Sequence, residues 1–137
     1  MTADPLAQLK AINQAAAFNR WAGFEVISAG NGEAELGLKW RDDLGQYSGF
    51  LHAGMLGALI DTACGYAAVT VAGFVLASHY SVNCLAPAKG SEFIAKARVT
   101  KAGRRQVFAS AEVFVIEGGQ RKLVATGETI LIPVEAK

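Results

Sequence analysis

The chain has 137 residues, of which 52% are hydrophobic and 18% charged, and its formal net charge is +1. This length and composition fit one domain with a sizeable core and exclude an intrinsically disordered chain. A net charge so close to zero does not indicate binding to nucleic acid or to an acidic membrane surface. The residues up to Gln8 lack the basic and apolar regions of a secretory signal, so we expect a cytoplasmic protein.

The N-terminal third of the sequence predicts a short helix and a β-hairpin. Apolar residues recur at a helical period over residues 5–19, and Asp4 can cap this helix. Two strands are predicted at 24–29 and 33–40, and alternation in the second indicates one solvated face. Residues 41–51 are polar and contain glycine, which predicts a loop.

A long apolar helix is predicted next, from Ala53 to about Val71, with Gly73 at its end. The apolar run of 25 residues, 53–77, is long enough to cross a bilayer. However, it is rich in alanine and glycine, and a central aspartate costs about 2.5–3.5 kcal/mol on insertion scales. We therefore expect a buried helix of a soluble protein and no membrane span.

Asp61 is the only carboxylate in this run. An ionised carboxylate is costly to remove from water unless it is paired. On a helix its neighbours on the same face are small, namely Gly57, Ala58, Cys64 and Gly65. The carboxylate would therefore sit in a depression, which is typical of a functional site. A purely structural carboxylate that is capped or hydrogen-bonded is the alternative.

The C-terminal half predicts strands at 78–85, 92–101, 106–117 and 122–133, with glycine-containing turns at 102–104 and 118–120. We expect these four strands to form a meander, with 106–117 covered on both faces. Cys64 and Cys84 have neither metal-site nor disulfide spacing, so we expect free, mostly buried thiols in a reducing compartment.

A helix that is apolar on nearly all sides has to be wrapped by other elements. The order of elements therefore predicts an α+β fold, in which a curved antiparallel sheet of about six strands surrounds one long helix. A short N-terminal helix precedes this core. Open sheet edges in such a fold favour pairing with a second subunit.

This order, together with a set of spaced motifs, resembles the hotdog fold, and specifically its phenylacetate-pathway type of acyl-CoA thioesterase. The family pattern is an Asn or Gln, a Gly, the sequence His-Gly-Gly, and an acid nine residues after the histidine. The matching residues here are Gln46, Gly49, His52-Ala53-Gly54 and Asp61-Thr62-Ala63, followed by a strand that ends in Pro87-Ala88-Lys89-Gly90. We expect a single domain over 1–137, with a helical segment at 1–20 and the hotdog core at 21–133.

The resemblance implies a chemistry for the start of the long helix and for Asp61. The unpaired N–H groups of Ala53 and Gly54 would polarise the thioester carbonyl. Ala53 replaces the first glycine of the family motif but keeps its N–H group. Asp61 would attack the carbonyl directly or act as general base for water, and both routes stay open.

Ala53 and Asp61 lie eight residues apart, which is about 12 Å along one helix. Both cannot touch the same carbon, so two subunits would have to combine, with their helices antiparallel. This agrees with the family's composite site, in which Gln46 lies beside Ala53 and the partner provides Asp61. We expect a homodimer or a homotetramer that is a dimer of dimers.

Other positions have an expected role and a structural alternative. Gln46 would position the water or the thioester, unless it is an ordinary loop amide. His52 would orient the loop, and direct proton transfer is the alternative. Gly65 stands where some relatives orient water with Ser or Thr, which could be supplied here by Thr62, Ser78 or Ser81.

Substrate contacts are expected from two groups of residues. The substrate-binding group comprises Gly57, Cys64, Gly65, Tyr47, Phe50 and Ser81. Lys89, Arg104 and Arg105 would bind the phosphates of CoA, although a solvated hairpin tip explains the two arginines equally well. Acyl-pocket lining or core packing is open for Trp21, Phe24, Trp40, Tyr47 and Phe50.

The predicted function is hydrolysis of a small-to-medium acyl-CoA or aryl-CoA to the free acid and CoA. No metal and no cofactor other than this CoA substrate is expected. The alternative is a non-catalytic, sensor-type hotdog module that binds acyl-CoA. A hotdog dehydratase fits less well, because its hydratase-type loop motifs are missing. The nature of the acyl group stays open.

Overall fold

The computed structural model describes residues 4–135. The helices are α1 (Pro5–Ala15), α2 (Ala17–Ala22) and α3 (Ala53–Ala72), with a 3-10 turn at Asp42–Leu44. The strands are β1 (Glu25–Gly30), β2 (Glu33–Lys39), β3 (Val75–Cys84), β4 (Glu92–Ala102), β5 (Val107–Glu117) and β6 (Gln120–Pro133). Within residues 4–135 these strands form one antiparallel sheet of six, in the order β1-β2-β4-β5-β6-β3. The predicted α+β architecture is confirmed.

The long helix α3 packs against every strand of this sheet. His52 caps its start, and Gly73, at φ 73°, ends it as predicted. By length and composition alone α3 could also cross a membrane. In the fold, ten of its 20 residues are buried, and its apolar side chains form the centre of the core.

Gly127 on β6 allows α3 and β3 to approach the sheet closely. A Cβ atom at this position would collide with the carbonyl oxygen of Ser81 and lie 2.9 Å from Cγ2 of Ile60. Only a residue without a side chain leaves room for both neighbours, so Gly127 helps to set the position of α3 relative to β3.

The N-terminal helical segment is divided in two, whereas the sequence predicts one helix over 5–19. Ala16 is extended, with φ −92° and ψ 118°, and separates α1 from α2. The Asn19 amide donates to Asn13 Oδ1 at 3.1 Å and to the Tyr66 hydroxyl at 2.9 Å. Tyr66 in turn donates to Asn13 Oδ1 at 2.8 Å. The break lets both asparagines converge on α3, and this network holds the two helices against it.

The predicted position of β3 in the sheet is wrong. Only β4, β5 and β6 form a meander, while β3 pairs with β6 at the far edge. The strand also begins at Val75, three residues earlier than predicted. As an edge strand it leaves much of its surface uncovered in the single chain, and Cys84 is exposed, contrary to prediction.

Strand β5 is not covered on both faces in the single chain, which contradicts another prediction. Val107 and Ala109 are buried, whereas Phe108 between them is 39% exposed. Successive side chains of a strand point to opposite faces of the sheet. The inner face of β5 therefore packs on α3. Its outer face, which carries Ser110 and Glu112 as well as Phe108, is partly exposed.

Candidate functional site

The loop before α3 is folded as a tight hairpin that fixes the start of the helix. Gly45 and Leu51 form an isolated β-bridge. The N–H of Leu51 donates to the carbonyl of Ala88 at 2.8 Å, and the N–H of His52 donates to that of Leu44 at 3.0 Å. These bonds attach the loop both to the 3-10 turn and to the segment between β3 and β4.

His52 is the N-cap residue of α3, and its ring takes up one helix donor. The N–H of Gly54 donates to His52 Nδ1 at 2.8 Å. The N–H groups of Met55 and Leu56 donate to the His52 carbonyl, at 2.9 and 3.2 Å. Among the hydrogen bonds of residues 4–135, none uses the N–H of Ala53. Of the two predicted donors, only Ala53 is therefore free for a ligand, and the expectation for Gly54 is corrected.

Gln46 is half-buried, and its side chain folds back on its own turn. Its Oε1 accepts a hydrogen bond from the N–H of Ser48, in a turn that Gly49 closes at φ 83°. Oε1 thus has one of its two acceptor positions filled, and the Nε2 group is the donor that Gln46 can offer to a ligand. Tyr47 is 99% exposed in the single chain, while Phe50 is half-buried.

Asp61 lies on α3, two turns beyond Ala53, and is half-buried. Burial raises the pKa of its carboxyl group above the ordinary value. A carboxylate with a raised pKa is a stronger base than an exposed one, which suits a general base. The adjacent Cys64 is fully buried, and burial raises its pKa to about 12. A buried thiol that stays protonated is not a nucleophile, and Cys64 exposes no surface to a ligand in the single chain.

The two glycines on the Asp61 face of α3 differ in what covers them. Gly57, one turn before Asp61, is buried beneath Tyr80 of β3, whose Cε2 atom would lie 3.1 Å from a Cβ on the glycine. Gly65, one turn after Asp61, is half-buried, and a Cβ there would meet only Leu131, at 3.8 Å. The predicted depression around Asp61 is therefore closed on one side and open on the other.

Tyr80, and not the predicted Ser81, is the β3 residue that packs against the face of α3 that carries Asp61. Tyr80 pairs with Thr129, which is buried against α3, so the Tyr80 side chain lies on the inner face of the sheet. Side chains alternate along a strand, which directs Ser81 to the outer face. The Ser78 hydroxyl contacts the carbonyl of Ile130 at 3.4 Å. Gly65 lacks the hydroxyl group that some relatives have at this position. Of the three residues expected to supply a hydroxyl instead, only Thr62 lies on α3 together with Asp61.

The aromatic residues considered for the acyl pocket have separate positions. Phe24 is buried in the core, and Trp21 is half-exposed in a cluster with Phe18, at a ring distance of 5.9 Å. Arg41 stacks over Trp21 at 5.1 Å. Trp40 packs on Gly45 in the hairpin before α3. Phe24 and Trp40 therefore have structural roles.

The three cations expected at the CoA phosphates are not together in one chain. Lys89 follows Ala88, whose carbonyl holds Leu51 near the start of α3. Arg104 and Arg105 lie in the turn after β4, a strand of 11 residues, roughly 35 Å long. This turn lies toward the end of α3, where Gly32 bonds both Thr70 and Val99. One subunit therefore presents these cations at opposite ends of the helix.

Metal ligation has no candidate in the described part of the chain. Among residues 4–135, no group of three or more His, Cys, Asp and Glu side chains could hold a metal ion.

Comparisons with known proteins agree with the fold. The sequence pattern of the thioesterase superfamily matches residues 48–122, which include His52 and Asp61. A thioesterase family protein from Silicibacter pomeroyi is 30% identical, with a TM-score of 0.89 over 94% of this chain and 97% of that one. Thioesterase superfamily member 2 of zebra fish is 25% identical, with a TM-score of 0.85 over 96% of this chain and all 100% of the other.

The E. coli PaaI protein from the phenylacetic acid degradation operon is 22% identical, with a TM-score of 0.86 over 96% of this chain and 94% of that one. At this identity the similarity shows the fold alone. No curated protein sequence matches the chain. The predicted hotdog fold is confirmed, and the chain belongs to the thioesterase superfamily.

Proposed function

We propose that the protein is an acyl-CoA thioesterase that hydrolyses small-to-medium acyl-CoA or aryl-CoA thioesters to the free acid and CoA. The observation that carries this proposal is the pairing of two groups on α3. Ala53 has an unused N–H at the start of the helix, and Asp61 is a half-buried carboxylate further along it. A donor for a developing oxyanion and a base of raised pKa are the two elements that thioester hydrolysis requires.

The active site is composite in this proposal. Ala53 and Asp61 are about 12 Å apart along one rigid helix, so one thioester carbon cannot contact both. Two antiparallel α3 helices would place Ala53 of one subunit opposite Asp61 of the other. The exposed edge of β3 supports such pairing, because it presents Leu76, 65% exposed, and the neighbouring Phe74, 48% exposed. The assembly is a homodimer or a dimer of dimers, in the cytoplasm.

Each residue has a defined part in the reaction. The N–H of Ala53 polarises the thioester carbonyl, and the Nε2 group of Gln46 positions the water or the thioester. As a base, Asp61 takes a proton from water while the oxygen attacks the carbonyl carbon, and the CoA sulfur leaves and takes up a proton. As a nucleophile, Asp61 attacks the carbonyl carbon, and the C–S bond breaks to release the CoA thiolate, which takes up a proton. Water then cleaves the resulting acyl anhydride to the free acid and the Asp61 carboxylate. His52 holds the helix start in place through Gly54.

Antiparallel helices also explain the separated cations. The turn that carries Arg104 and Arg105 lies toward the end of α3 in its own subunit. In the dimer it would approach the start of the partner's α3, where Lys89 is located. Lys89 of one subunit and the two arginines of the other would then bind the phosphates of the same CoA.

The test is thiol release from short, medium, long and aryl acyl-CoAs, with wild type, Asp61→Asn and Asp61→Ala measured in parallel. Loss of a general base should lower turnover by about 10²–10⁴-fold. Binding of acyl-CoA, measured by calorimetry, should persist. Asp42→Asn, which removes an exposed carboxylate from the 3-10 turn, is the control and should keep full turnover.

Three results would count against the proposal. Full turnover in Asp61→Ala would exclude the assigned role of Asp61. Tight binding without any turnover in the wild type would identify an acyl-CoA-binding module instead. Neither turnover nor binding would exclude acyl-CoA as the ligand.

A further inference from the structure

Tyr80 occupies one of the two spaces next to Asp61. Its ring lies over Gly57, with Cε2 at 3.1 Å and the hydroxyl oxygen at 3.4 Å from the position of a Cβ atom. Val82, two residues along β3, lies 3.6 Å from the same position. Because Gly57 has no side chain, the Tyr80 ring packs directly against the helix at this position. The ring fills the space, so none is left there for a ligand.

The other space, next to Gly65, is open. A Cβ there would have a single neighbour, Cδ2 of Leu131, at ordinary contact distance. When the thioester carbonyl carbon lies beside Asp61, its acyl group can extend along the surface of α3 toward Gly57 or toward Gly65. The first direction ends at the Tyr80 ring, and only the second is available.

Much of the Tyr80 side chain is uncovered in the single chain. It is 49% exposed, although one edge of its ring packs on α3. Its neighbour across the sheet, Thr129, is 1% exposed. The ring thus forms an apolar surface over Gly57, which lies one helical turn before Asp61.

We infer that Tyr80 blocks the Gly57 side of the site and confines the acyl group to the Gly65 side, so that the enzyme prefers thioesters of compact acids, either short aliphatic or single-ring, over longer chains. This inference rests on the proposed thioesterase function. Gly57 is a positioning residue in this arrangement, because it acts through the Tyr80 ring.

The first experiment compares butyryl-CoA, octanoyl-CoA and phenylacetyl-CoA as substrates for wild type, Tyr80→Phe and Tyr80→Ala. Removing the ring should raise the kcat/KM ratio of octanoyl-CoA to butyryl-CoA by about tenfold or more, since one methylene in a pocket is worth about tenfold or more. Tyr80→Phe keeps the ring and should keep the ratio. Phe108→Ala removes an aromatic ring from the outer face of β5 and should also keep it. An unchanged ratio in Tyr80→Ala would overturn the inference.

A second variant tests the coupling to Gly57. In Gly57→Ala the new methyl group should push the Tyr80 ring into the site. It should therefore lower the kcat/KM ratio of octanoyl-CoA to butyryl-CoA. In the double variant Gly57→Ala with Tyr80→Ala the methyl group has no ring to displace. Its ratio should therefore equal that of Tyr80→Ala, and this non-additivity reports direct contact. Additive effects would show that Gly57 does not act through Tyr80.

Binding separates this inference from the proposed function. The affinities for the same three acyl-CoAs are measured by calorimetry on Asp61→Ala, with Tyr80 and with Tyr80→Ala. A shift toward octanoyl-CoA supports the role of Tyr80 even if the wild type hydrolyses nothing, which would reject the thioesterase proposal alone. Binding with an unchanged preference overturns the role of Tyr80 alone, and the absence of any acyl-CoA binding overturns both. Sedimentation of each variant shows whether the fold and assembly are retained.

Discussion

The N–H of Gly54 donates to Nδ1 of His52 at 2.8 Å, so the residue that caps α3 also occupies one of its first donors. The His52 carbonyl accepts from the next two N–H groups along the helix, those of Met55 and Leu56. Most N–H groups in the first turn of α3 therefore already have a hydrogen-bond acceptor in His52. What remains is the N–H of Ala53, which is the donor that our proposal assigns to the substrate carbonyl.

Replacing Ala53 by proline should abolish turnover without unfolding the protein. Proline lacks the N–H group but suits the first position of a helix. The preceding His52 already has the extended conformation that proline requires, with φ −61° and ψ 138°. We expect a loss in kcat of about 10²–10³-fold, the usual effect of removing one oxyanion donor. Ala53→Gly keeps the donor and should keep activity. Equal activity in the proline variant would exclude Ala53 as the donor.

Mixing two inactive variants should restore activity if the site is composite. Ala53→Pro and Asp61→Ala homodimers each lack one component at both sites. A mixed dimer has one site with both components intact and one site with neither. Equal mixing after denaturation and refolding should therefore recover about a quarter of wild-type activity, given two sites per symmetric dimer. No recovery, with mixed dimers shown by native mass spectrometry, would mean that each site lies within one subunit.

Replacing His52 by alanine should lower the free energy of unfolding by about 1 kcal/mol, the typical effect of losing an N-cap side chain. Asparagine can accept the same hydrogen bond, so His52→Asn should recover most of this loss. Urea denaturation followed by circular dichroism measures both variants. Full turnover in His52→Asn would support an orienting role for His52, whereas loss of turnover at unchanged stability would favour direct proton transfer.

Asp61 should make the protein less stable as the pH rises. Burial raises the pKa of the folded carboxyl above its ordinary value of 3.8, so the folded state binds this proton more tightly than the unfolded state. The resulting stabilisation is complete below that value and is lost as the pH rises through the raised pKa. Asp61→Asn has no proton to lose, so it should be more stable than wild type at pH 8, with a smaller difference at pH 4. Asp42→Asn controls for net charge.

Adding a methyl group should lower the stability of the protein at Gly127 and raise it at Gly65. Gly127→Ala forces a Cβ against Ser81 and Ile60, and such overpacking costs typically about 1–3 kcal/mol. Gly65→Ala adds a methyl in a helix with room beside Leu131, and replacing a helical glycine stabilises by roughly 0.5–1 kcal/mol. Thermal unfolding of the two variants measures both effects. A stable Gly127→Ala protein would show that α3 does not approach β3 as closely as described.

The order of the elements and the character of α3 could be predicted from local patterns. A single carboxylate among small residues, in a run otherwise fit for a core, identified Asp61 before any packing was known. The same patterns placed the strands to within a few residues and the end of α3 at Gly73. Periodicity and capping depend on neighbours along the chain, and the sequence displays these directly.

The details of the site depended on contacts between distant residues. Nothing local indicates that β3 crosses to pair with β6, and this pairing determines that Tyr80 faces α3 while Ser81 faces away. The capture of the Gly54 N–H by the His52 ring likewise requires the side-chain geometry of the folded helix start. The separation of Lys89 from Arg104 and Arg105 follows from the full length of β4.

The sequence by itself thus predicted the fold class, because this is encoded in residue spacing along one helix and in the alternation of strands. It also indicated the superfamily through its resemblance to a known motif pattern, and it made Asp61 the candidate carboxylate. The tertiary structure decided which N–H group at the start of α3 is unused and which ring lies over Gly57. These features arise from the strand order and from which face each side chain takes. Both are set by pairing between segments far apart in the chain, which local patterns do not specify.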